Sequence, residues 1–335
     1  MEQNTIVEAL MKPETYDEDV QKIELVQTHI SFVFLAGDYV YKVKKPVNFG
    51  FLDFTTLEKR KHFCNREFEL NRRLAGDMYL EVVPINRSDN QIKIKGKGKT
   101  IEYAVKMRRI PEDTMMSDLI TRNQVNKVLI DELAKIIAEF HTKAETGGSI
   151  NKFGSLEVIK FNWDENFDQT RDFIGRTLDS TQFDVICHKI QAFMKNNKPL
   201  FRTRIEHNRI RDCHGDLHSG NIFVADRIYI FDCIEFNERF RYSDVTADIA
   251  FLAMDLDFRN KRDLSKYFID QYIEYTHDHD LMILLPFYKC YRAYVRGKVI
   301  GFKLEDPNVN VIEQEQAKKE AHAYFDLATE YASEL

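Results

Sequence analysis

The sequence predicts an α+β chain: an antiparallel-sheet half built around one helix, followed by a mainly helical half. Three observations predict it. Residues from about 23 to 110 alternate apolar and polar positions in short β-rich runs. Residues from about 120 onward place apolar residues at helical spacing. One short polar–apolar–polar hairpin, residues 214–232, interrupts the helical half.

Taken in order, Ser31–Leu35 and Tyr39–Val43 are β-rich runs joined by Gly37-Asp38, a tight-turn pair. An earlier turn is expected near residues 27–31. Thr55-x-x-Glu58 has the form of a capping box opening a helix to about Ala75. Runs at 79–85, 91–95 and 101–107 complete an expected five-stranded sheet. Val125 to Ala144 is a strong amphipathic helix, with Val128, Leu133, Ile136, Ile137 and Phe140 at helical spacing. Helical patterns recur at 182–195, 245–257, 263–275, 281–303 and 310–333. No repeat or flexible linker intervenes, and the expected division is 1–110 and 111–335.

With 335 residues, 44% of them hydrophobic, the chain can bury one large domain or two smaller units. A net charge of −6 argues against nucleic acid or an anionic membrane as partner. No apolar run reaches the roughly 20 residues of a membrane span, and the polar, acidic stretch 1–19 lacks the order of a signal peptide. A cytoplasmic location is expected. The five cysteines are scattered without a Cys-x-x-Cys pair, so they read as core residues. His277-Asp278-His279-Asp280 reads as a solvated polar loop, having no third metal ligand in view.

The hairpin carries the chemistry. His214-Gly215-Asp216-Leu217-His218-Ser219-Gly220-Asn221 is followed by Ile228-Tyr229-Ile230-Phe231-Asp232. An Asp, an Asn five residues on, and an Asp closing an apolar strand are the groups phosphoryl transfer requires. One carboxylate orients the acceptor hydroxyl; an amide and a carboxylate hold Mg²⁺ on nucleotide phosphates. On these residues the chain resembles the aminoglycoside phosphotransferase and choline kinase branch of the protein-kinase-like superfamily, and an uncharacterised subgroup of it in particular. The resemblance spans roughly 23–305 and is strongest at 214–250. It implies a bilobal kinase-like fold, an N-terminal nucleotide-binding lobe, and a helical lobe that binds a small-molecule hydroxyl acceptor, with ATP and Mg²⁺ as cofactors.

The resemblance assigns Asp216 as catalytic base or orienter and Asn221 and Asp232 as metal ligands. His214 would brace the loop and Asp248 would tether it. On the strand Val40-Tyr41-Lys42-Val43-Lys44, Lys42 is the expected phosphate-binding lysine, with Lys44 as the alternative. Glu67 is its expected helix partner, sharing a stripe with Cys64, Asn71 and Leu74. No Gly-x-Gly-x-x-Gly precedes Lys42, which argues against a protein kinase. Phosphates would instead meet backbone N–H groups, the Ser31 or Thr28 hydroxyl, or His29. The nucleotide base would pair near Met107 and Arg109. Glu235 falls close enough to Asp232 to bear on metal or substrate. Arg292 and Arg296, four apart on one helix face, suggest an anionic acceptor. An antibiotic phosphotransferase and a non-catalytic nucleotide-binding regulator are the alternatives. No Gly-x-x-x-x-Gly-Lys-Ser/Thr occurs, so a form without a fused P-loop domain is expected.

Overall fold

The computed structural model describes residues 2–89, 91–305 and 309–335, with side chains described from residue 4. The chain forms two compact units, one of residues 1–119 and 220–240, the other of 120–219 and 241–335. The division therefore differs from the expected one at 110/111. The hairpin after Ser219 groups with the first unit because Phe223 and Tyr229 join a core there with Cys64, Met78, Val105 and Met107.

The first unit is built on a six-stranded antiparallel sheet of β1 (Ile23–Gln27), β2 (Ser31–Ala36), β3 (Tyr39–Lys44), β4 (Tyr79–Ser88), β5 (Gln91–Ile94) and β6 (Lys99–Arg108). Their order in the sheet is β1-β2-β3-β6-β4-β5. The sixth strand, β1, is an edge strand that the sequence pattern had not separated from its turn. Helix α1 (Glu2–Leu10) lies ahead of the first expected strand, in a stretch to which no element was assigned. Its Ile6 and Leu10 join Tyr16, Phe34, Tyr41, Val43 and Ala104 in one core. Helix α2 (Leu57–Ala75) packs on β4 and β6. Its cap is Thr56, whose hydroxyl accepts from the Lys59 N–H; Thr55 instead bonds Asp53.

Period-2 alternation sorts β3. Tyr41 and Val43 enter the α1 core, leaving Val40, Lys42 and Lys44 on the α2 side. Two lysines thus point toward a helix that offers them a carboxylate.

The second unit is helical, with a two-stranded ladder of Ile210–Asp212 and Tyr242–Asp244. Helix Val245–Phe258 lies at its centre, every residue from 245 to 257 being buried. Helices Lys127–Lys143, Arg262–Thr276, Leu281–Gly301 and Val311–Ser333 match the expected pattern to within a few residues. Val128 is the exception on its stripe, 77% exposed. Helices Leu156–Gln169 and Lys198–Glu206 were not anticipated. The 277–280 segment is not wholly solvated either. Asp278 is buried and ion-paired to Arg204 at 2.5 Å, while Arg204 also holds Asp244 through two 2.8 Å bonds. The polar run 277–280 gives no local hint of an arginine arriving from residue 204. Among the described residues, no helix is long and apolar enough to cross a membrane.

Candidate functional site

In the first unit, one buried carboxylate gathers the charged side chains. Glu67, in the middle of α2, is 0% exposed. Its Oε1 lies 2.8 Å from the Lys42 Nζ and its Oε2 lies 2.7 Å from the Lys44 Nζ. Lys42 also donates to Asp232 Oδ1 at 2.6 Å, and Lys44 donates to Glu235. Both candidate lysines therefore meet the expected helix glutamate, and the strand's alternation explains why. Two cations face three carboxylates in this cluster.

The electrostatics follow from that arrangement. Burial would raise the Glu67 carboxyl, but the Lys42 and Lys44 ammoniums outweigh it and lower it to about 2. Glu235 shifts the other way. Its burial outweighs Lys44, and the charge of Glu67 adds to the rise. Burial also opposes the charge on both lysines. Asp232 and then Glu67 hold Lys42 well above its ordinary range, and Glu235 and then Glu67 raise Lys44.

Asp232 presents its carboxylate from a constrained backbone. Its φ of 62° lies in the left-handed region, unusual for a residue other than glycine. The Asp232 N–H donates to the Tyr79 hydroxyl, and the next N–H, of Cys233, donates to Asn71 Oδ1 at 2.9 Å. The Asp232 side chain nevertheless stays 44% exposed. Asn221 precedes the strand Ile222–Val224, which pairs with Ile228–Ile230. Its carbonyl accepts from the Phe231 N–H at 3.0 Å. Asn221 and Asp232 thus flank the same end of the hairpin.

The remaining first-unit candidates are placed less favourably. Ser31 is fully buried, directly opposite Lys44 in the ladder. In the turn before it, the N–H groups of Ile30 and Ser31 bond the Thr28 hydroxyl, and the Thr28 N–H bonds the Ser31 carbonyl. Those three donors satisfy the turn itself rather than pointing outward. Met107 is paired with Val40 on one side and Tyr79 on the other. The Arg109 N–H is taken by the Asp38 carbonyl at 2.8 Å.

In the second unit, the loop carrying Asp216 is held from several sides. Asp248 accepts from the N–H groups of His214 at 3.0 Å and Gly215 at 2.8 Å. The other support of Asp248 is His141 Nε2 at 3.1 Å, whose Nδ1 lies 2.8 Å from the Tyr272 hydroxyl. His214 Nδ1 accepts from the Asp216 N–H at 3.2 Å. Arg292 is buried, donating to the Gly215 carbonyl at 3.0 Å and the Ala247 carbonyl at 2.9 Å. Both bonds hold backbone carbonyls at and beside the loop. Ser219 N–H donates to Asp255 at 2.9 Å.

The Asp216 side chain itself remains about one-third exposed at 34%, with His218 Nε2 3.5 Å from its carboxylate. Burial would raise its pKa, but the charges of His218, Arg296 and His214 hold it well below the usual carboxylate range. A carboxylate so stabilised is a weak base. Arg296 stacks over the Tyr324 ring at 5.7 Å.

Sequence reasoning missed Asn71, Tyr79, His141 and Asp255. Each acts on backbone or a partner far along the chain, and no local spacing signals that. His218 stood inside the motif as a histidine two residues after Asp216, and that nearness was the available signal.

Comparison with known proteins points one way. Residues 62–282 match the family described as phosphotransferase enzyme family. An uncharacterized protein of Mycobacterium tuberculosis strain H37Rv and one of Mycobacterium bovis are each 35% identical over 278 residues, covering 83% of this chain and 54% of the relative. The chain thus spans about half the length of these relatives. Among solved structures, the GDP complex of aminoglycoside 2'-phosphotransferase-IIIa superposes with a TM-score of 0.59 at 16% identity, covering 99% of both chains. A choline/ethanolamine kinase family protein from Mesorhizobium loti superposes with a TM-score of 0.56 at 13% identity, covering 100% of this chain and 99% of that one. These two likenesses show a shared kinase-like α+β fold.

Proposed function

Because the chain belongs to the phosphotransferase enzyme family, we propose that it transfers the γ-phosphoryl group of ATP to a hydroxyl of a small, anionic molecule. The observation that carries this reading is the cluster in which Lys42 reaches both Glu67 and Asp232. A lysine kept charged by a helix glutamate, beside an exposed carboxylate, is the equipment for holding a metal-bound polyphosphate. Asn221 and Asp232 offer hard oxygen donors of the kind Mg²⁺ prefers, and the exposure of Asp232 leaves its carboxylate accessible. Bound there, Mg²⁺ would neutralise charge on the phosphates.

Lys42 takes the phosphate role, with Glu67 fixing its direction. Asp216 aligns the acceptor hydroxyl, and its lowered pKa keeps it ionised throughout the neutral range. His214 and Asp248 hold the loop, and Arg292 joins them. Backbone groups around Met107 and Arg109 remain the proposed site for the base, excluding the Arg109 N–H already bonded to Asp38. Arg296, whose charge acts on Asp216, favours an acceptor carrying a carboxylate or phosphate. It disfavours a polycationic antibiotic.

The test is transfer of labelled phosphate from ATP, and in parallel GTP, into a fractionated metabolite extract with Mg²⁺. A kanamycin-type drug is assayed beside it. Labelling of one anionic metabolite fraction, and none of the drug, is expected. Labelling of the drug alone would replace this reading with the antibiotic one, and nucleotide binding with no transfer would replace it with a regulator.

A further inference from the structure

The Lys42–Glu67 pair leaves a second lysine and a third carboxylate unexplained. Lys44 and Glu235 are as deeply buried as Glu67, their side chains 1% and 4% exposed. Burying two ions is costly unless their geometry compensates, so a pair this desolvated calls for a task. Neither side chain has enough exposed surface to touch a ligand directly.

Two details locate the task. First, Lys42 now divides its ammonium between Glu67 and Asp232. To meet a phosphate it has to leave Asp232. Were Lys42 the lone partner of Glu67, that movement would strand a buried carboxylate. Lys44 holds the other Glu67 oxygen, Oε2, and keeps that charge compensated. Second, Glu235 lies three residues after Asp232, and Lys44 lies two residues after Lys42. Their contact therefore joins the segment bearing Asp232 to the strand bearing Lys42. Phe54 closes over Lys44 with its ring 4.8 Å from Nζ, and Cys64 lies on the α2 side.

We propose that Lys44 and Glu235 are positioning residues. Together they keep Glu67 fixed and tie the Asp232 segment to β3, so that Lys42 and Asp232 can part and engage the phosphates and magnesium of a nucleotide. This inference rests on the nucleotide-binding reading above.

The test compares ADP binding with Mg²⁺ and with EDTA, by calorimetry, in the wild type and in Lys44→Met/Glu235→Gln. The double variant removes one charge of each sign, and thermal melts report whether it folds. Loss of the tether is expected to reduce the Mg²⁺-dependent gain in ADP affinity about tenfold or more, since small misplacements of positioned groups cost that much. Binding of ADP in EDTA should weaken by less than binding in Mg²⁺, because there only the compensation of Glu67 is lost, and Lys44→Arg should retain most of the gain. A purely structural role would lower the melting temperature and leave the Mg²⁺-dependent gain intact, and that result overturns the proposal. Should the double variant not fold, Glu235→Gln alone, which keeps Lys44 on Glu67, is judged by the same comparison. A wild type without Mg²⁺-dependent ADP binding would refute the nucleotide reading, and this proposal with it.

Discussion

At the scale of single residues, the loop that carries Asp216 depends on Asp248. That carboxylate meets two loop N–H groups and His141, all buried. Burial alone would raise its pKa, and His141, His214 and Arg292 instead hold it low. Asp248→Ala strands two buried N–H donors and breaks a buried network, costing on the order of 3–5 kcal/mol. Chemical denaturation would measure it, and a loss under about 1 kcal/mol would contradict the tethering role. Glu67 gives a pH prediction. Its folded pKa of about 2 lies below the ordinary 4.5. Between those values the unfolded chain binds the extra proton, so this contribution is complete above about pH 4.5 and is lost as pH falls toward 2. The wild type should lose stability over that window more steeply than Glu67→Gln, read from denaturation midpoints against pH. At this scale the motif was legible because Asp216, Asn221 and Asp232 are close in sequence with an apolar strand between them. The sharing of Glu67 by two lysines was half legible, through the alternation of β3. The pairing of Lys44 with Glu235, 191 positions on, was not, because no local pattern encodes a contact so distant.

At the scale of elements, helices with one continuous apolar stripe were readable and those with mixed faces were not. Helix Lys127–Lys143 buries Ile130, Leu133, Ala134 and Ile137 at regular spacing. Helix Leu156–Gln169 buries Ile159, Trp163, Asn166 and Phe167, a sparser pattern with a polar member. Its recognition required knowing that Trp163 sits among Phe167, Phe287, Tyr291 and Tyr294. The start of α2 was offset by one residue because both Thr55 and Thr56 are plausible caps. Thr56 has the extended backbone, ψ 155°, that a cap needs. Thr56→Ala should cost about 1 kcal/mol, and Thr55→Ala, whose hydroxyl bonds exposed Asp53, under about 0.5 kcal/mol. Denaturation midpoints decide, and the reverse order would restore Thr55 as the cap.

At the scale of the whole molecule, the α+β class was legible from the change of periodicity near residue 110, but the division into units was not. The first unit takes back residues 220–240 after a hundred residues of the other. A linear reading assigns domains by contiguous stretches, whereas burial of Phe223 and Tyr229 assigned this one. The proposed nucleotide site makes one thermodynamic prediction. A nucleotide that binds only the folded chain stabilises it by mass action, about 2.7 kcal/mol at a hundredfold excess over Kd. Mg·ATP should raise the melting temperature of the wild type by a few degrees, and Lys42→Met should lose most of that rise. An equal rise in the variant would remove Lys42 from the nucleotide site.

The central claim is a division of labour, with Lys42, Glu67 and Asp232 holding the nucleotide and Asp216 aligning the acceptor. The most direct test measures Mg·ATP binding and phosphate transfer side by side in the wild type and Asp216→Asn. The account predicts that the variant binds Mg·ATP as the wild type does and transfers phosphate slower by on the order of 10²–10⁴-fold. Transfer by Asp216→Asn at the wild-type rate would contradict it.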